Sequence, residues 1–132
     1  MNTVSKITTA ILVILISLSS CNKDKDKVEM GISDEYYVKY VIKGNGTYIY
    51  FSDFSVNTGQ GNVSFSGYQY HSWNQTYGPV KKGFRASVSV GSSLVTVEIY
   101  VSKNNGPFAL KASKSGGNSS TSNISQSYTI DF

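Results

Sequence analysis

The chain has 132 residues, a formal net charge of +4, one histidine, one cysteine, and ten Tyr, six Phe and one Trp. The positive charge is spread thinly and no basic stretch alternates with aromatic residues, which argues against a nucleic-acid partner. A single histidine excludes a metal site with two imidazole ligands, and a single cysteine excludes a disulfide within the chain.

The N-terminal segment has the pattern of a secretory signal. Lys6 provides a positive charge, the run from Ala10 to Ile16 is wholly apolar, and Ser19 and Ser20 precede Cys21. A charged start, an apolar run and small residues in this order are typical of a cleaved signal peptide. The apolar run is far shorter than the roughly 20 residues that cross a bilayer as a helix. The sequence therefore predicts export and cleavage rather than a permanent transmembrane span.

The end of this segment, Leu18 to Cys21, resembles the lipobox of bacterial lipoproteins, in which Leu stands three residues before the cysteine and small residues lie between. The resemblance implies that residues 1–20 are removed and that Cys21 becomes an acylated N-terminus carrying a diacylglyceryl thioether. Two or more acyl chains anchor a protein stably, whereas one chain binds a membrane only marginally. The lipid bilayer is thus the first expected partner, and the bacterial outer membrane the expected location, on either its periplasmic or its external side. An ordinary signal peptide followed by a free cysteine is the alternative.

Residues 21–33 are predicted to be the lipidated cysteine and a flexible tether. Asn22 to Met30 are mostly charged or polar, and such a composition buries too little apolar surface to offset the entropy of ordering it. Fully extended, Asn22 to Ser33 span about 40 Å, enough to hold a domain at residues 34–132 away from a membrane. The charges from Lys23 to Asp26 resemble the export signals of surface-exposed Bacteroidetes lipoproteins, although consecutive acidic residues are absent. A solvated spacer is the other interpretation.

From Glu35 onward, apolar and polar residues alternate with period two, interrupted by clusters of Gly, Asn and Ser, and no segment has a helical pattern. Such alternation is typical of half-buried β-strands. We predict seven strands. The residues expected to face the core are, strand by strand, Tyr36, Val38, Tyr40 and Ile42; Ile49 and Phe51; Val63 and Phe65; Phe84, Ala86, Val88 and Val90; Val95, Val97, Ile99 and Val101; Phe108, Leu110 and Ala112; and Ile124, Tyr128, Ile130 and Phe132.

Two segments between these strands need a choice. In the second strand, either Ile49 and Phe51 or Tyr48, Tyr50 and Phe54 can face inward, and we choose the first set because Phe and aliphatic side chains are buried more completely than Tyr. The third strand is expected to continue toward residue 70. Residues 71–83 (HSWNQTYGPVKKG) lack period two and contain a proline, so a connecting loop is predicted there.

Seven short strands with turn signals about every 8 to 12 residues predict an all-β fold, an antiparallel seven-stranded immunoglobulin-like β-sandwich, with a small closed barrel as the alternative. Residues 36–47 (YYVKYVIKGNGT) and 96–108 (TVEIYVSKNNGPF) resemble small Bacteroidetes lipoproteins of unassigned role, some of which are similar to small membrane accessory proteins of mycobacterial lipid transporters. That resemblance implies the sandwich and supplies no catalytic residues.

One aromatic cluster, with Asn74 and Gln75 among its members, is the candidate ligand-binding surface. Rings cover the apolar face of a sugar or peptide, and amides fix its polar groups. The alternative is that these rings cap the core or cover a sheet edge, because Trp and Tyr are highly buried on average. The cluster comprises Tyr68, Tyr70, His71, Trp73 and Tyr77.

Motifs that carry catalysis are missing from the sequence. No GxSxG elbow is present, and the carboxylates after residue 33 form no paired motif. We therefore predict no enzyme activity, no catalytic residue, no metal and no cofactor. The expected function is a binding or scaffolding module whose partner is an unknown envelope protein or a glycan. A carbohydrate-binding module, which would need Trp73 and its neighbouring tyrosines exposed and coplanar, and an accessory subunit of an envelope transport system are the alternatives.

Overall fold

The computed structural model describes residues 31–47, 50–117 and 122–132. The predicted signal peptide, Cys21, most of the tether, and Tyr48 and Ile49 lie outside these residues. Over the described ranges the chain is all-β, and no helix there is long and apolar enough to cross a membrane. The strands are β1 (Tyr36–Gly44), β2 (Tyr50–Phe51), β3 (Phe54–Thr58), β4 (Gly61–Phe65), β5 (Gln69–Tyr70), β6 (Ser72–Val80), β7 (Arg85–Val90), β8 (Val95–Lys103), β9 (Ala109–Ser115) and β10 (Ile124–Thr129).

The strands form two four-stranded antiparallel sheets and one short pair. Sheet I has the order β6-β1-β8-β9, sheet II has the order β10-β7-β3-β4, and β2 pairs with β5. Within the two sheets, only β3–β4 and β8–β9 join strands that follow one another in the chain, so most connections pass from one sheet to the other. The all-β, antiparallel prediction is confirmed. The described residues contain ten strands rather than seven, and their order differs from the ABED and CFG sheets of immunoglobulin constant domains.

The inner faces of both sheets meet in one hydrophobic core, which makes the architecture sandwich-like. Strand β8 pairs along its whole length with β1, and the inward residues of both are fully buried, as their strict alternation predicts. The inward residues of β8 are all β-branched, a side-chain shape that packs well on a pleated surface. The core residues are Tyr36, Val38, Tyr40, Ile42, Phe51, Phe54, Val56, Val80, Ala86, Val88, Val90, Val95, Val97, Ile99, Val101, Ile124 and Ile130.

A tyrosine from sheet I ties the two sheets together. The Tyr40 hydroxyl donates to the carbonyl of Asn57 on β3 at 2.6 Å and accepts from the amide of Ser87 on β7 at 3.2 Å. The hydroxyl thereby takes the place of a direct backbone hydrogen bond between Asn57 of β3 and Ser87 of β7. Burial raises the pKa of Tyr40, so the hydroxyl remains a neutral donor.

The predicted loop at residues 71–83 is wrong, because most of it forms β6. Trp73 pairs with Ile42 and Tyr77 pairs with Val38, so the aromatic side chains of β6 face inward with the core residues of β1. The strand has only one neighbour among the described strands, and an edge position tolerates Pro79 because no ladder hydrogen bond is lost there. Gln75, which lies between Trp73 and Tyr77 on the same face of β6, is polar and exposed, and it interrupts the apolar alternation in the sequence.

The second predicted strand is interrupted, and both Phe51 and Phe54 are buried. Asp53 has a φ of 54°, which ends β2 and resets the alternation before β3 begins. Of the chosen inward set, Phe51 is buried as predicted and Ile49 lies outside the described residues; of the other set, Phe54 is buried but Tyr50 is 50% exposed. The third predicted strand also stops early, at Phe65, and Tyr70 pairs with Tyr50 instead.

Four residues predicted to be buried are exposed: Val63, Phe108, Leu110 and Phe132. Val63 lies on β4, which has β3 as its only neighbour among the described strands. Strand β9 begins only at Ala109, and an irregularity in its pairing with β8 between Ile99 and Tyr100 shifts the register. Phe132 lies beyond β10, where its ring meets the ring of Tyr36 edge-on at 5.6 Å. The alternation of a strand cannot predict whether a side chain beyond the last paired residue of that strand is buried.

Candidate functional site

The structure divides the predicted aromatic cluster into two groups. Tyr68 and Tyr70 are 66% and 70% exposed, and Tyr50, which directly opposes Tyr70, is 50% exposed. Trp73 and Tyr77 are only partly exposed and pack against the core. The solvent-facing rings thus come from the β2–β5 pair, not from β6.

Trp73 closes part of the space between β6 and β4. Its ring centroid lies 4.7 Å from that of Phe54 and 5.1 Å from that of Phe65, each at an interplanar angle of 60°. Phe54 and Phe65 are themselves stacked at 4.7 Å. Tyr77 leans toward Tyr40, with centroids 6.2 Å apart. Trp73 and Tyr77 therefore cover a sheet edge, as the structural alternative proposed, and Trp73 is not part of an exposed coplanar platform.

His71 occupies a turn between β5 and β6. It has a φ of 66°, is exposed, and its carbonyl accepts the amide of Gly44 at 2.9 Å. A left-handed conformation outside Gly and Asn is uncommon, and here it lets the chain turn sharply between two strands. Over the residues that the structure describes, no three His, Asp, Glu or Cys side chains come together as a metal site would require.

The two tyrosines Tyr50 and Tyr68 form one wall of a pocket of about 340 Å³, which we call the tyrosine pocket. Their rings meet edge to face, with centroids 5.4 Å apart and planes at 80°. Tyr70 lies beside them as the cross-strand neighbour of Tyr50. The pocket is lined by Tyr50, Phe51, Ser52, Tyr68, Gly91, Ser92 and Leu94.

Local chain geometry builds this pocket. Gly67, with a φ of 97°, turns the chain into β5 and so brings Tyr68 next to β2. The far wall is the turn between β7 and β8, where the amide of Gly91 donates to the carbonyl of Asp53 at 3.0 Å. A Cβ at Gly91 would lie only 3.2 Å from that carbonyl, so this close approach favours glycine.

The lining combines apolar rings with small hydroxyl groups. Phe51 is buried, and Ser52 and Ser92 contribute hydroxyl groups to the lining. The Ser52 hydroxyl donates to the Asp53 carboxylate at 2.9 Å and can still accept, and the Ser92 hydroxyl accepts from the amide of Leu94 at 3.2 Å and can still donate. Among the described residues, no charged side chain lines the pocket. Such a surface suits a neutral ligand that has an apolar face and hydroxyl or carbonyl groups at its edge.

The sequence places Tyr68 and Tyr70 in the candidate cluster, but not Tyr50 or the serines of the pocket. Because Phe51 is expected to face the core, its neighbour Tyr50 is expected to face outward, where its ring either contacts a ligand or packs across strands. An outward tyrosine next to a strand end is available for ligand contact. Its pairing with Tyr70 depends on register across twenty residues of chain, which the sequence does not reveal.

Charged groups concentrate elsewhere, on the outer face of sheet I. Lys43 and Glu98 form an ion pair at 3.0 Å, and the Tyr100 hydroxyl donates to Glu98 at 2.8 Å. Partial burial acts to raise the pKa of Glu98, but the hydrogen bonds from Lys43 and Tyr100 outweigh it and hold that pKa below its usual value. The electrostatics of this face are thus separate from the uncharged pocket.

Comparison with protein-family models, with curated proteins and with solved structures finds no match to this chain. Its function must therefore be inferred from the chemistry of its own surfaces. The tyrosine pocket is the concave site whose exposed rings and hydroxyls are least explained by packing of the core.

Proposed function

We propose that this chain is a lipid-anchored protein of a bacterial outer membrane whose β-sandwich-like domain binds a neutral glycan in the tyrosine pocket without catalysing a reaction. The observation that carries the binding role is the pair Tyr50 and Tyr68, which stand at 80° to each other beside an uncharged cavity of about 340 Å³. The lipobox-like residues at Leu18–Cys21 support the anchor.

A sugar ring fits the chemistry of this pocket better than a charged ligand does. One face of a pyranose presents C–H groups that pack on an aromatic ring, while its hydroxyls exchange hydrogen bonds with side-chain hydroxyls. Ser52 and Ser92 provide such hydroxyls. The cavity lies at the small end of the range of about 300–1,000 Å³ that is typical of ligand sites, so one sugar unit or two would fill it.

Packing of the core does not explain the exposed rings of Tyr50 and Tyr68. Rings that are half or more exposed contribute little to the core, and the structure packs Trp73, Tyr77, Phe54 and Phe65 for that purpose instead. Large exposed aromatic groups next to a concavity commonly mark a contact surface. The envelope-protein partner that the sequence also suggested has no comparable support in the described residues.

The test is a titration of the full-length protein in detergent with neutral oligosaccharides: maltohexaose, cellohexaose and xylohexaose. We expect at least one to bind, and we expect Tyr68→Ala to weaken that binding at least tenfold because it removes half of the aromatic wall. Tyr100→Ala, which removes a tyrosine from the outer face of sheet I, is the matched control and should bind as the wild type does. Equal binding by Tyr68→Ala, or no binding of any of the three, would overturn the glycan assignment.

A further inference from the structure

Strand β4 is a sheet edge with no second neighbouring strand among the described residues. It occupies one end of sheet II, and among the described strands its ladder partner is β3 alone. Four of its residues are exposed, including Val63, which faces the interior side of the sheet and is still 36% exposed. At the other end of sheet II, β10 packs close to β8 and β9 of sheet I. Trp73 of β6 packs on Phe65 of β4 between the sheets, but the outward backbone groups of β4 have no ladder partner among the described strands.

The hydrogen bonds of Tyr40 show which backbone groups of β4 point outward. The carbonyl of Asn57 accepts from the Tyr40 hydroxyl, which in turn accepts from the amide of Ser87, so the polar backbone groups of Asn57 face β7. Directly opposed antiparallel pairs alternate between hydrogen-bonded and non-hydrogen-bonded. The pair Asn57–Asn62 is therefore the non-bonded kind, and the N–H and C=O of Asn62 point away from the sheet. The backbone N–H and C=O of Ser64, two residues further along β4, also point away from the sheet.

This edge lacks the features that prevent strand pairing. The sequence Gly61–Phe65 has no charged residue and no proline. In contrast, edge strand β6 contains Pro79 and a register irregularity near its end, and edge strand β9 carries Lys111 and Lys114 and a register irregularity of its own. Lysines, prolines and bulges are the usual means of blocking edge-to-edge association. Strand β4 is therefore free to pair with another strand.

The sequence of β4 complements itself. In an antiparallel pair centred on Val63, that valine opposes its own copy, Asn62 opposes Ser64, and Gly61 opposes Phe65. The first is a β-branched pair, and the second uses the outward backbone groups of both residues. In the third, the small Gly61 leaves room beside Phe65, whose ring stays packed on Phe54 and Trp73 of its own chain. No like charges meet. A second copy thus matches this edge in backbone hydrogen bonding and in side chains.

We propose that two copies of this chain associate through β4, by antiparallel strand addition centred on Val63, so that their four-stranded sheets join into one continuous sheet. The interface is isologous, with the same patch on both copies, as expected for a two-fold dimer. On the outer face it extends the row Ser64–Ser55–Ser89–Ser125, whose members oppose one another across all four strands of sheet II. A five-residue edge forms a small interface, which indicates a weak and reversible dimer.

Cysteine cross-linking in membranes that contain the full chain tests this register. In a non-hydrogen-bonded antiparallel pair the Cα atoms lie about 4.5 Å apart, within the range that a disulfide spans. Val63→Cys is expected to give a disulfide-linked dimer under mild oxidation. Ser127→Cys, on the exposed face of β10, and the wild type, whose only cysteine is Cys21, are the matched controls and are expected to remain monomeric on a non-reducing gel. Equal cross-linking of Ser127→Cys, or none of Val63→Cys, would overturn the proposal.

A second measurement begins with the unmodified interface of the wild-type chain. Hydrogen exchange of the wild-type chain in detergent should slow at the amides of Asn62 and Ser64 as the protein concentration rises, because these amides gain partners in the dimer. Ser64→Pro, which removes an outward N–H without removing a bond to β3, should abolish the concentration dependence at Asn62. The proposed interface would be contradicted if exchange at both amides of the wild-type chain did not change with concentration. It would also be contradicted if a different protein, rather than a second copy, protected these amides.

Discussion

Replacing Tyr40 by Phe tests the idea that one hydroxyl holds the two sheets together. The substitution keeps a ring of almost the same volume in a fully buried position and removes only the oxygen atom. The Asn57 carbonyl and the Ser87 amide, on adjacent strands of sheet II, then lose their shared partner. Both are backbone groups between adjacent strands, where a water molecule cannot easily replace the lost hydroxyl as a hydrogen-bond partner.

The expected cost follows from these two contacts. An intramolecular hydrogen bond contributes about 1 kcal/mol net, and a buried polar group left without a partner costs about 1–3 kcal/mol. For two such groups we expect the free energy of unfolding to fall by about 2–4 kcal/mol. Since small domains have about 5–15 kcal/mol in total, this is a large fraction of the stability.

The same hydroxyl predicts how stability changes in alkali. Burial raises the pKa of Tyr40 in the folded protein above the value near 10 of the unfolded chain. Its contribution to stability is therefore complete below about pH 10, and it is lost as the pH rises further, because the unfolded chain releases a proton that the folded chain keeps. The loss is at most about 1.4 kcal/mol per pH unit. Tyr40→Phe should show a shallower decline over this range.

Urea unfolding followed by Trp73 fluorescence, at pH 7 and at several values above pH 10, measures both effects. Tyr100→Phe is the control, because it removes a tyrosine hydroxyl that bonds Glu98 on an outer face. It should change the free energy of unfolding by less than about 1 kcal/mol. A loss below 0.5 kcal/mol for Tyr40→Phe (about half of one net hydrogen bond) at pH 7, or an unchanged alkaline slope, would refute the reasoning.

Four other substitutions follow from the same structure. Cys21→Ser should move the full-length protein from the detergent phase to the aqueous phase in Triton X-114 partitioning, because no acyl chain can be attached; unchanged partitioning would contradict the anchor. Trp73→Ala should lower the free energy of unfolding in urea by about 1–3 kcal/mol, since the ring covers Phe54 and Phe65 but is only partly buried. Gly116→Ala should destabilise by more than about 2 kcal/mol in the same assay, because its Cβ would lie 1.8 Å from the Ser93 carbonyl oxygen; Gly117→Ala, with open space around it, is its control. Glu98→Gln should cost less than about 1 kcal/mol, as expected for an ion pair whose Lys43 side chain is half exposed, and a larger loss would mean that the pair is structurally important.

The strands that the sequence predicted well are those in which every second residue is buried. In β1 and β8 the apolar set is uninterrupted, so pattern and burial agree. Strand β6 was missed because an edge strand tolerates Pro79 and the polar, exposed Gln75, which breaks the apolar alternation. Asp53 and the irregularity opposite Tyr100 each change which residues face inward, and these backbone details have no clear signature in side-chain hydrophobicity.

The candidate site was only partly predictable for a related reason. Tyr68 and Tyr70 lie in an aromatic-rich segment that the sequence makes obvious. Tyr50 reaches them through cross-strand pairing, and Ser92 through a turn between two other strands. Trp73 belongs to the same segment of sequence yet points to the core, because strand alternation and the turn at His71 separate it from its neighbours. Proximity along the chain was therefore a poor guide to proximity in space.

The proposed placement of this domain at a membrane surface depends on the chemistry of a single residue, Cys21. The most direct measurement is the intact mass of the protein extracted from bacterial membranes, with a fragment spectrum of its N-terminus. We expect a chain that begins at Cys21 and carries a diacylglyceryl group on its sulfur. A mature chain that begins elsewhere, or one that begins at Cys21 with an unmodified thiol, would contradict the membrane-anchored function.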